Sequence, residues 1–253
     1  MNEIPAEVVW RDEGLLVLNK PSGVPVLADR SGVACLWDAL QQALAAEGVR
    51  PRAVHRIDKG TSGLLLVALD PAVERQLTRA FVAGSVGKWY SALGAGHLPG
   101  ANSFDIDLPL IAGRKSRWRV AGPREAITLE RRAARRTFAL AAGTALLDKP
   151  GKPSKAALTR VRSVASNPSM SWLCVRPHSG RTHQIRVHLA WIGLPLLGDH
   201  LYGAPSDPAQ AASRLALHCH RLILPPLDDG RSRPNTFRAS LPEDFLGIMR
   251  RQA

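Results

Sequence analysis

An α+β fold is expected from three features of the sequence. Short apolar runs of strand length mix with amphipathic helical stripes, without the steady βαβ rhythm of a doubly wound parallel sheet. No internal repeat or low-complexity linker divides the 253 residues. Two lobes sharing one sheet, within a single domain spanning 1–253, therefore fit better than two independent domains. The longest apolar run, Leu64-Leu65-Leu66-Val67-Ala68-Leu69, has the length of a buried strand and falls far short of the ~18 residues a membrane helix needs.

The elements follow in order. Gly14–Asn19 reads as a buried strand stopped by the turn cluster Lys20-Pro21-Ser22-Gly23. Leu36, Ala39, Leu40, Ala43 and Leu44 form a helical stripe, with Gly48 just past its end. The segment 54–70 places a polar, Gly-containing turn between two apolar pieces. Pro71 behind Asp70 marks a helix start whose inner face is Val73, Leu77, Ala80 and Phe81. Lys88–Leu93 is a strand. Residues 94–155 are rich in Gly, Pro and Arg and yield no clear elements. Trp172–Val175 is a short strand ending at Pro177, and Thr182 is placed to cap a helix carrying Ile185, Leu189 and Ile192, closed by Gly193. Leu215–Leu224 is a last strand-like piece before Pro225-Pro226.

Composition narrows the function class. Hydrophobic residues at 45% and charged residues at 22% are globular values, which excludes wholesale disorder. Three widely spaced cysteines, Cys35, Cys174 and Cys219, supply neither a disulfide framework nor a thiol zinc site. The opening Met1-Asn2-Glu3-Ile4-Pro5 has neither the basic start nor the apolar core of a signal peptide. A soluble protein of a reducing compartment, the cytoplasm, is expected.

The net charge is +13, and it is unevenly distributed. Residues 114–136 hold nine basic side chains (Arg114, Lys115, Arg117, Arg119, Arg124, Arg131, Arg132, Arg135, Arg136) and two acids. Residues 149–186 hold eight (Lys149, Lys152, Lys155, Arg160, Arg162, Arg176, Arg181, Arg186) and no acid. The two stretches exceed the whole net charge, so the rest of the chain is slightly acidic. Solubility alone does not require an acid-free stretch of this length. Neither stretch is an amphipathic helix with an aromatic face, which argues against a membrane surface. A polyanion, nucleic acid, is the expected partner.

Three constellations carry candidate chemistry. In His55-Arg56-Ile57-Asp58-Lys59-Gly60-Thr61-Ser62-Gly63, a carboxylate flanked by cations sits in a tight loop before a buried strand. Those cations favour the ionised, nucleophilic form; an aspartate that merely caps its own turn is the alternative, and this segment taken alone favours it. In Pro177-His178-Ser179-Gly180-Arg181-Thr182-His183-Gln184-Ile185-Arg186-Val187-His188, the histidines invite a metal reading. On a helix, however, His183 and His188 lie about 140° apart, and no carboxylate occurs between Asp148 and Asp199 to complete a site. Guanidinium groups beside a helix start instead suit phosphates or a buried carboxylate. In Lys88-Trp89-Tyr90, a strand aromatic is either core or a face for an unstacked base. A hydrolase using Ser62 or His183 lacks an assembled triad.

Taken together, these segments resemble the RluA family of pseudouridine synthases. The family's marks stand in order: Leu18-Asn19-Lys20-Pro21-Ser22-Gly23, then His55–Leu66, then Lys88-Trp89-Tyr90-Ser91-Ala92, then Asp107-Leu108-Pro109-Leu110-Ile111. Gly180–Leu189, Gly198-Asp199-His200-Leu201-Tyr202-Gly203 and Leu217-His218 complete the series. The resemblance runs from about Val8 to Phe245. It implies a mixed, largely antiparallel sheet in two subdomains around a central catalytic cleft, and isomerisation of uridine in RNA to pseudouridine with no cofactor and no metal. By position, Asp58 is the catalytic aspartate, Tyr90 the aromatic against the base, and Arg186 the basic partner of the carboxylate. His55, Arg56, Thr61, Arg181, His183 and Gln184 are the substrate-binding candidates, Arg56 as the group that replaces a base swung out of its stack. Ile57 stands where Leu is usual, a volume-conserving change.

Many relatives carry an N-terminal RNA-binding module, whereas the match here begins almost at once. RNA recognition is then expected from the basic stretches 114–136 and 149–162, on ribosomal or transfer RNA, by a monomer without an obligate protein partner. The competing reading is a non-catalytic RNA-binding or RNA-chaperone protein on the same fold.

Overall fold

The computed structural model describes residues 4–29, 32–97, 102–114, 117–132, 135–148, 151, 153–203 and 212–252; Lys115, Lys149 and Lys152 of the basic stretches lie outside these. In chain order the first elements are β1 (Glu7–Arg11), β2 (Leu15–Lys20), α1 (Leu36–Ala45), β3 (Arg52–Ala53), β4 (Ser62–Ala68) and α2 (Pro71–Val82). Next come β5 (Gly87–Ala95), β6 (Ser103–Asp107), β7 (Leu110–Ala112), β8 (Trp118–Val120), β9 (Ile127–Arg132) and β10 (Arg135–Leu140). The last are β11 (Leu158–Ser166), β12 (Met170–Pro177), α3 (Gln184–Trp191), β13 (Leu217–Ile223), β14 (Thr236–Arg238) and α4 (Glu243–Gln252). The chain forms two compact units, Met1–Lys88 with Leu217–Leu241, and Trp89–Ala216 with Pro242–Ala253.

In the first unit the strand order is β1-β2-β4-β13, with β3 also on β4 and β14 on β13. Among the described residues of this unit, only β4–β13 is parallel. Every residue of β4 is buried, as its unbroken apolar run requires. One face packs Leu16, Leu18, Leu65 and Val67 against Leu36, Leu40 and Leu44 of α1, so the expected stripe is the buried one. α2 packs against β4 and β3, and the Asp70 carboxylate caps it by accepting from the N–H groups of Ala72 and Val73 at 2.7 and 3.1 Å. Those bonds hold the Asp70 carboxyl below its ordinary range.

In the second unit the order is β5-β12-β11-β6-β10-β9, antiparallel except for β6–β10, with β7–β8 as a separate ribbon. The region without clear sequence signals, 94–155, thus holds β6–β10, strands of three to six residues. α3 packs on β8, β11 and β12. It does not start at Thr182 as expected. Its cap is His183, at φ 55, and the first helical bond runs from Val187 N–H to the His183 carbonyl at 2.9 Å. Gln184 causes the delay: its side-chain oxygen accepts from the Ser179 hydroxyl and the Arg181 N–H at 2.7 and 3.1 Å, which tightens the turn ahead of the helix. The α+β class with a mixed, largely antiparallel sheet holds in both units.

Candidate active site

The Asp58 loop is built from its neighbours in the first unit. Ile57 is buried in the α1 cluster with Leu18 and Leu65, which anchors the loop from below. Arg56 on one side is exposed and makes no hydrogen bond or ion pair among the described residues, while Asp58 on the other is half-buried. The backbone after Asp58 is clamped by the Lys20–Gly23 turn. The Lys20 ammonium, fully buried, donates to the carbonyls of Pro21, Val24 and Lys59 at 2.8, 2.7 and 3.2 Å. Gly23 N–H also donates to the Lys59 carbonyl at 2.9 Å, and the Ser22 hydroxyl donates to the Gly60 carbonyl at 2.7 Å. Thr61, itself buried, closes the loop by donating its N–H to the Asp58 carbonyl at 3.0 Å. The turn read at 20–23 is thus the support of the Asp58 loop.

His55 is held inside the unit. Its Nε2 accepts from Leu66 N–H at 2.8 Å, so a neutral ring carries its proton on Nδ1, and the ring stacks on Phe81 with centroids 4.5 Å apart. Burial, with a smaller effect of nearby Lys88, lowers its pKa to about 3. Ser62 and His218 do form a pair, Oγ to Nδ1 at 2.8 Å. Both are buried, so this contact between β4 and β13 offers no nucleophile to a substrate.

Tyr90 and Arg186 belong to the second unit. Tyr90 lies on β5 opposite Val175 of β12, on the buried face of that sheet. Arg186, in the first turn of α3, presents Nε and Nη2 to the two carboxylate oxygens of Asp199, both at 2.8 Å. The side chains are 11% and 0% exposed. A buried ion pair needs further bonds to offset its desolvation, and Asp199 Oδ1 also accepts from the N–H groups of Leu201 and Tyr202 at 3.0 and 3.2 Å. The Tyr202 ring lies 5.2 Å from the Arg186 guanidinium carbon. Its hydroxyl accepts from Trp118 N–H at 2.9 Å and sits 2.8 Å from His183 Nδ1. Gly198, at φ +71, brings this turn so close to Arg214 that a Cβ would stand 1.9 Å from the Arg214 carbonyl oxygen.

The remaining motif residues divide into scaffold and surface. Gln184 donates its amide to the Leu158 carbonyl and the Thr159 hydroxyl, both at 3.0 Å. With the two bonds it accepts, its side chain is committed to the protein. Thr159 in turn lies 2.8 Å from His188 Nδ1, and His188 Nε2 donates to the Leu108 carbonyl at 2.9 Å. Burial lowers the His188 pKa to about 4, so it is neutral and both nitrogens are used. Arg181 is exposed, with Nε donating to the Ala156 carbonyl at 3.1 Å. Sequence reasoning assigned no role to Asp199, Tyr202 or Lys20. For Asp199 a signal existed, since it is the first acid after Asp148 in a basic region and heads a turn that an aspartate side chain stabilises.

The chain is similar to known proteins over most of its length. The profile of the family described as RNA pseudouridylate synthase matches residues 14–191. An uncharacterised RNA pseudouridine synthase of Zymomonas mobilis is 35% identical over 244 residues, covering 95% of this chain and 96% of that protein. The dual-specificity RNA pseudouridine synthase RluA of Escherichia coli K12 is 32% identical over 238 residues, covering 94% of this chain and 93% of its own. The solved structure of human RNA pseudouridylate synthase domain containing 4 shares the fold, with a TM-score of 0.74 at 23% identity, over 97% of this chain and 92% of that one.

Proposed function

We propose, for a chain that belongs to the RNA pseudouridylate synthase family and is an RNA isomerase of that family, that Asp58 is the catalytic aspartate and that ribosomal or transfer RNA is the substrate. The observation that carries the aspartate is the fixed loop: the backbone beside Asp58 is held by Lys20, Ser22 and Gly23 while its side chain stays half-exposed. A preorganised carboxylate is what nucleophilic or general-base chemistry requires.

In this reading the bond between the ribose carbon and N1 of uracil breaks. The base turns over while bound, the same ribose carbon bonds to C5, and C5 loses its proton as N1 gains one. Asp58 acts either by attacking sugar or base or by removing a ribose proton. Tyr90 lies against the base, and its hydroxyl assists loss of the C5 proton. Arg186, aligned by Asp199 and Tyr202, is the basic group of the reaction. Arg56, exposed beside the loop, takes the space left by a uridine drawn out of its stack.

Arg181 meets phosphates, whereas His55 and Gln184 act through the loops they hold, Gln184 on the turn that presents His183. The basic stretches at 114–136 and 149–162 supply recognition beyond the reacting nucleotide. The relative named as dual-specificity supports a substrate range wider than one RNA.

The test is pseudouridine mapping, by carbodiimide adducts that stop reverse transcription, on RNA from cells lacking the protein and resupplied with wild type or Asp58→Ala. A stop restored by wild type and not by Asp58→Ala identifies both target and aspartate. Restoration by Asp58→Ala would overturn the role of Asp58, and no restored stop in ribosomal or transfer RNA would overturn the substrate class.

A further inference from the structure

The sheet of the second unit carries a set of like-charge contacts that its fold does not need. Arg160 of β11 stands directly opposite Arg176 of β12. Arg132 of β9 stands opposite Arg135 of β10, and Arg131 opposite Arg136. Like charges facing each other across paired strands destabilise a sheet, and three such pairs in one sheet are an unfavourable way to stay soluble.

Strand alternation sorts these arginines between the two faces. Tyr90, Val175, Val161 and Phe104, all buried, share one face through their registers, and the exposed Arg136, paired with Phe104, is on the same side. The opposite face carries Arg132, Arg135, Arg160, Arg162 and Arg176, crossing five strands. Asp105, on this face and 10% exposed, accepts from Arg135 Nε at 3.0 Å and from Arg160 Nε at 3.1 Å. One carboxylate therefore holds two guanidinium groups side by side and neutralises only one. Arg132 is balanced by Asp107 and Glu130. Neither β11 nor β12 contains an acid, and Arg162 is exposed with no acidic partner among the described residues. Along β11, Arg160 and Arg162 are separated by about 6.6 Å of extended chain.

Aromatic groups interleave with the charge. Arg176 lies over Trp89 at 4.9 Å, and the half-buried Trp172 on the same face is held by its indole N–H donating to the Ser91 hydroxyl at 2.6 Å. Guanidinium groups interleaved with a fixed indole match a single strand, whose phosphates take the cations while a base meets the aromatic face.

We propose that this face, the side of the sheet away from Tyr90, binds a single-stranded stretch of RNA outside the reacting nucleotide. Arg160, Arg162 and Arg176 take the phosphates and Trp172 a base. The proposal rests on the RNA isomerase reading and adds a contact surface to it.

The experiment is fluorescence anisotropy with labelled oligoadenylate, which contains no uridine. It compares wild type, Arg162→Gln, Arg162→Gln/Arg176→Gln, and Arg79→Gln on the exposed side of α2 as a control for charge. The double variant is expected to bind about fivefold more weakly at low salt, and the slope of log affinity against log salt to fall by about 1.4, at ~0.7 per lost phosphate contact. Arg162→Gln, at an exposed position, should show half that change with an unaltered melting temperature, so a folding defect in the double variant leaves the test intact. Affinities and slopes equal to those of Arg79→Gln would overturn the surface, whether its true partner is another macromolecule or none. Wild-type protein is assayed in parallel for pseudouridine formation in ribosomal and transfer RNA by mass spectrometry. Formation without the binding change overturns only the surface, and no formation overturns the isomerase reading whatever the oligoadenylate result.

Discussion

Arg186 and Asp199 meet through two parallel hydrogen bonds of 2.8 Å, thirteen positions apart in the chain and almost wholly out of water. Asp199 thereby fixes the rotamer of a guanidinium that the proposed reaction uses, and it does so from the turn after α3. Asp199→Asn keeps an oxygen for the N–H groups of Leu201 and Tyr202 and removes the charge. Leaving a buried cation without its carboxylate is expected to cost about 3 kcal/mol, seen as a lower urea midpoint. The turnover number should fall more than the Michaelis constant rises; an unchanged turnover number would detach Asp199 from the reaction.

Lys20→Met tests the support of the Asp58 loop. The carbonyls of Pro21 and Val24 lose their donor, while that of Lys59 keeps Gly23. An unsatisfied buried carbonyl costs about 1–3 kcal/mol; Pro21 is exposed and Val24 half-buried, so water takes over part of the lost bonding and the loss of stability should lie toward the low end. Hydrogen exchange at Thr61 N–H should accelerate and pseudouridine formation should fall about tenfold, on the scale that small misplacement of a reacting group produces. Wild-type exchange at Thr61 would mean the loop holds itself.

Gly63 follows the loop at φ +106, and a Cβ there would stand 2.3 Å from the Cys219 carbonyl oxygen. Gly63→Ala therefore forces β4 and β13 apart at the Ser62–His218 contact, with an expected loss of more than about 3 kcal/mol. A urea midpoint within error of wild type would refute this.

Stability should depend on pH through histidines held out of water, His188 fully and His55 in large part. His188 at about 4 and His55 at about 3 are neutral when folded but bind protons near 6.5 when unfolded. The unfolded state thus binds more protons below pH 6.5, and stability falls as the pH drops from there toward 4. Each histidine contributes up to about 1.4 kcal/mol per pH unit. Urea midpoints between pH 7 and pH 5 read these groups together with His220, whose pKa burial also lowers, and His188→Gln should remove less than half the slope. A flat profile over that range would contradict the burial of His188.

Arg56→Ala should reduce activity on structured RNA more than on an unstructured fragment, because only the structured RNA pays for unstacking its uridine. Equal losses on both substrates would remove Arg56 from base extrusion.

Much of this molecule is legible along the chain. The stripe of Leu36, Leu40 and Leu44, the Asp70-Pro71 start of α2 and the apolar run of β4 each encode an element within one window. The order of the motifs was enough to indicate the family. The region 94–155 is opaque because its strands are only three to six residues long, and because β6 pairs with β10 and β11, which lie far along the chain. The start of α3 was misread by one residue because the Gln184 side chain, and not Thr182, organises the turn.

The sequence by itself determined which residue types are available, their local periodicity and the placement of charge, since these depend on neighbours a few positions away. The tertiary structure alone decided which polar groups are already satisfied. Gln184 and His188 are used up by Leu158, Thr159 and Leu108, and Arg186 is aligned by Asp199, whereas Arg56 and Arg162 are left facing water. A buried donor must find an acceptor, and here the acceptors come from elements that only folding brings within 3 Å.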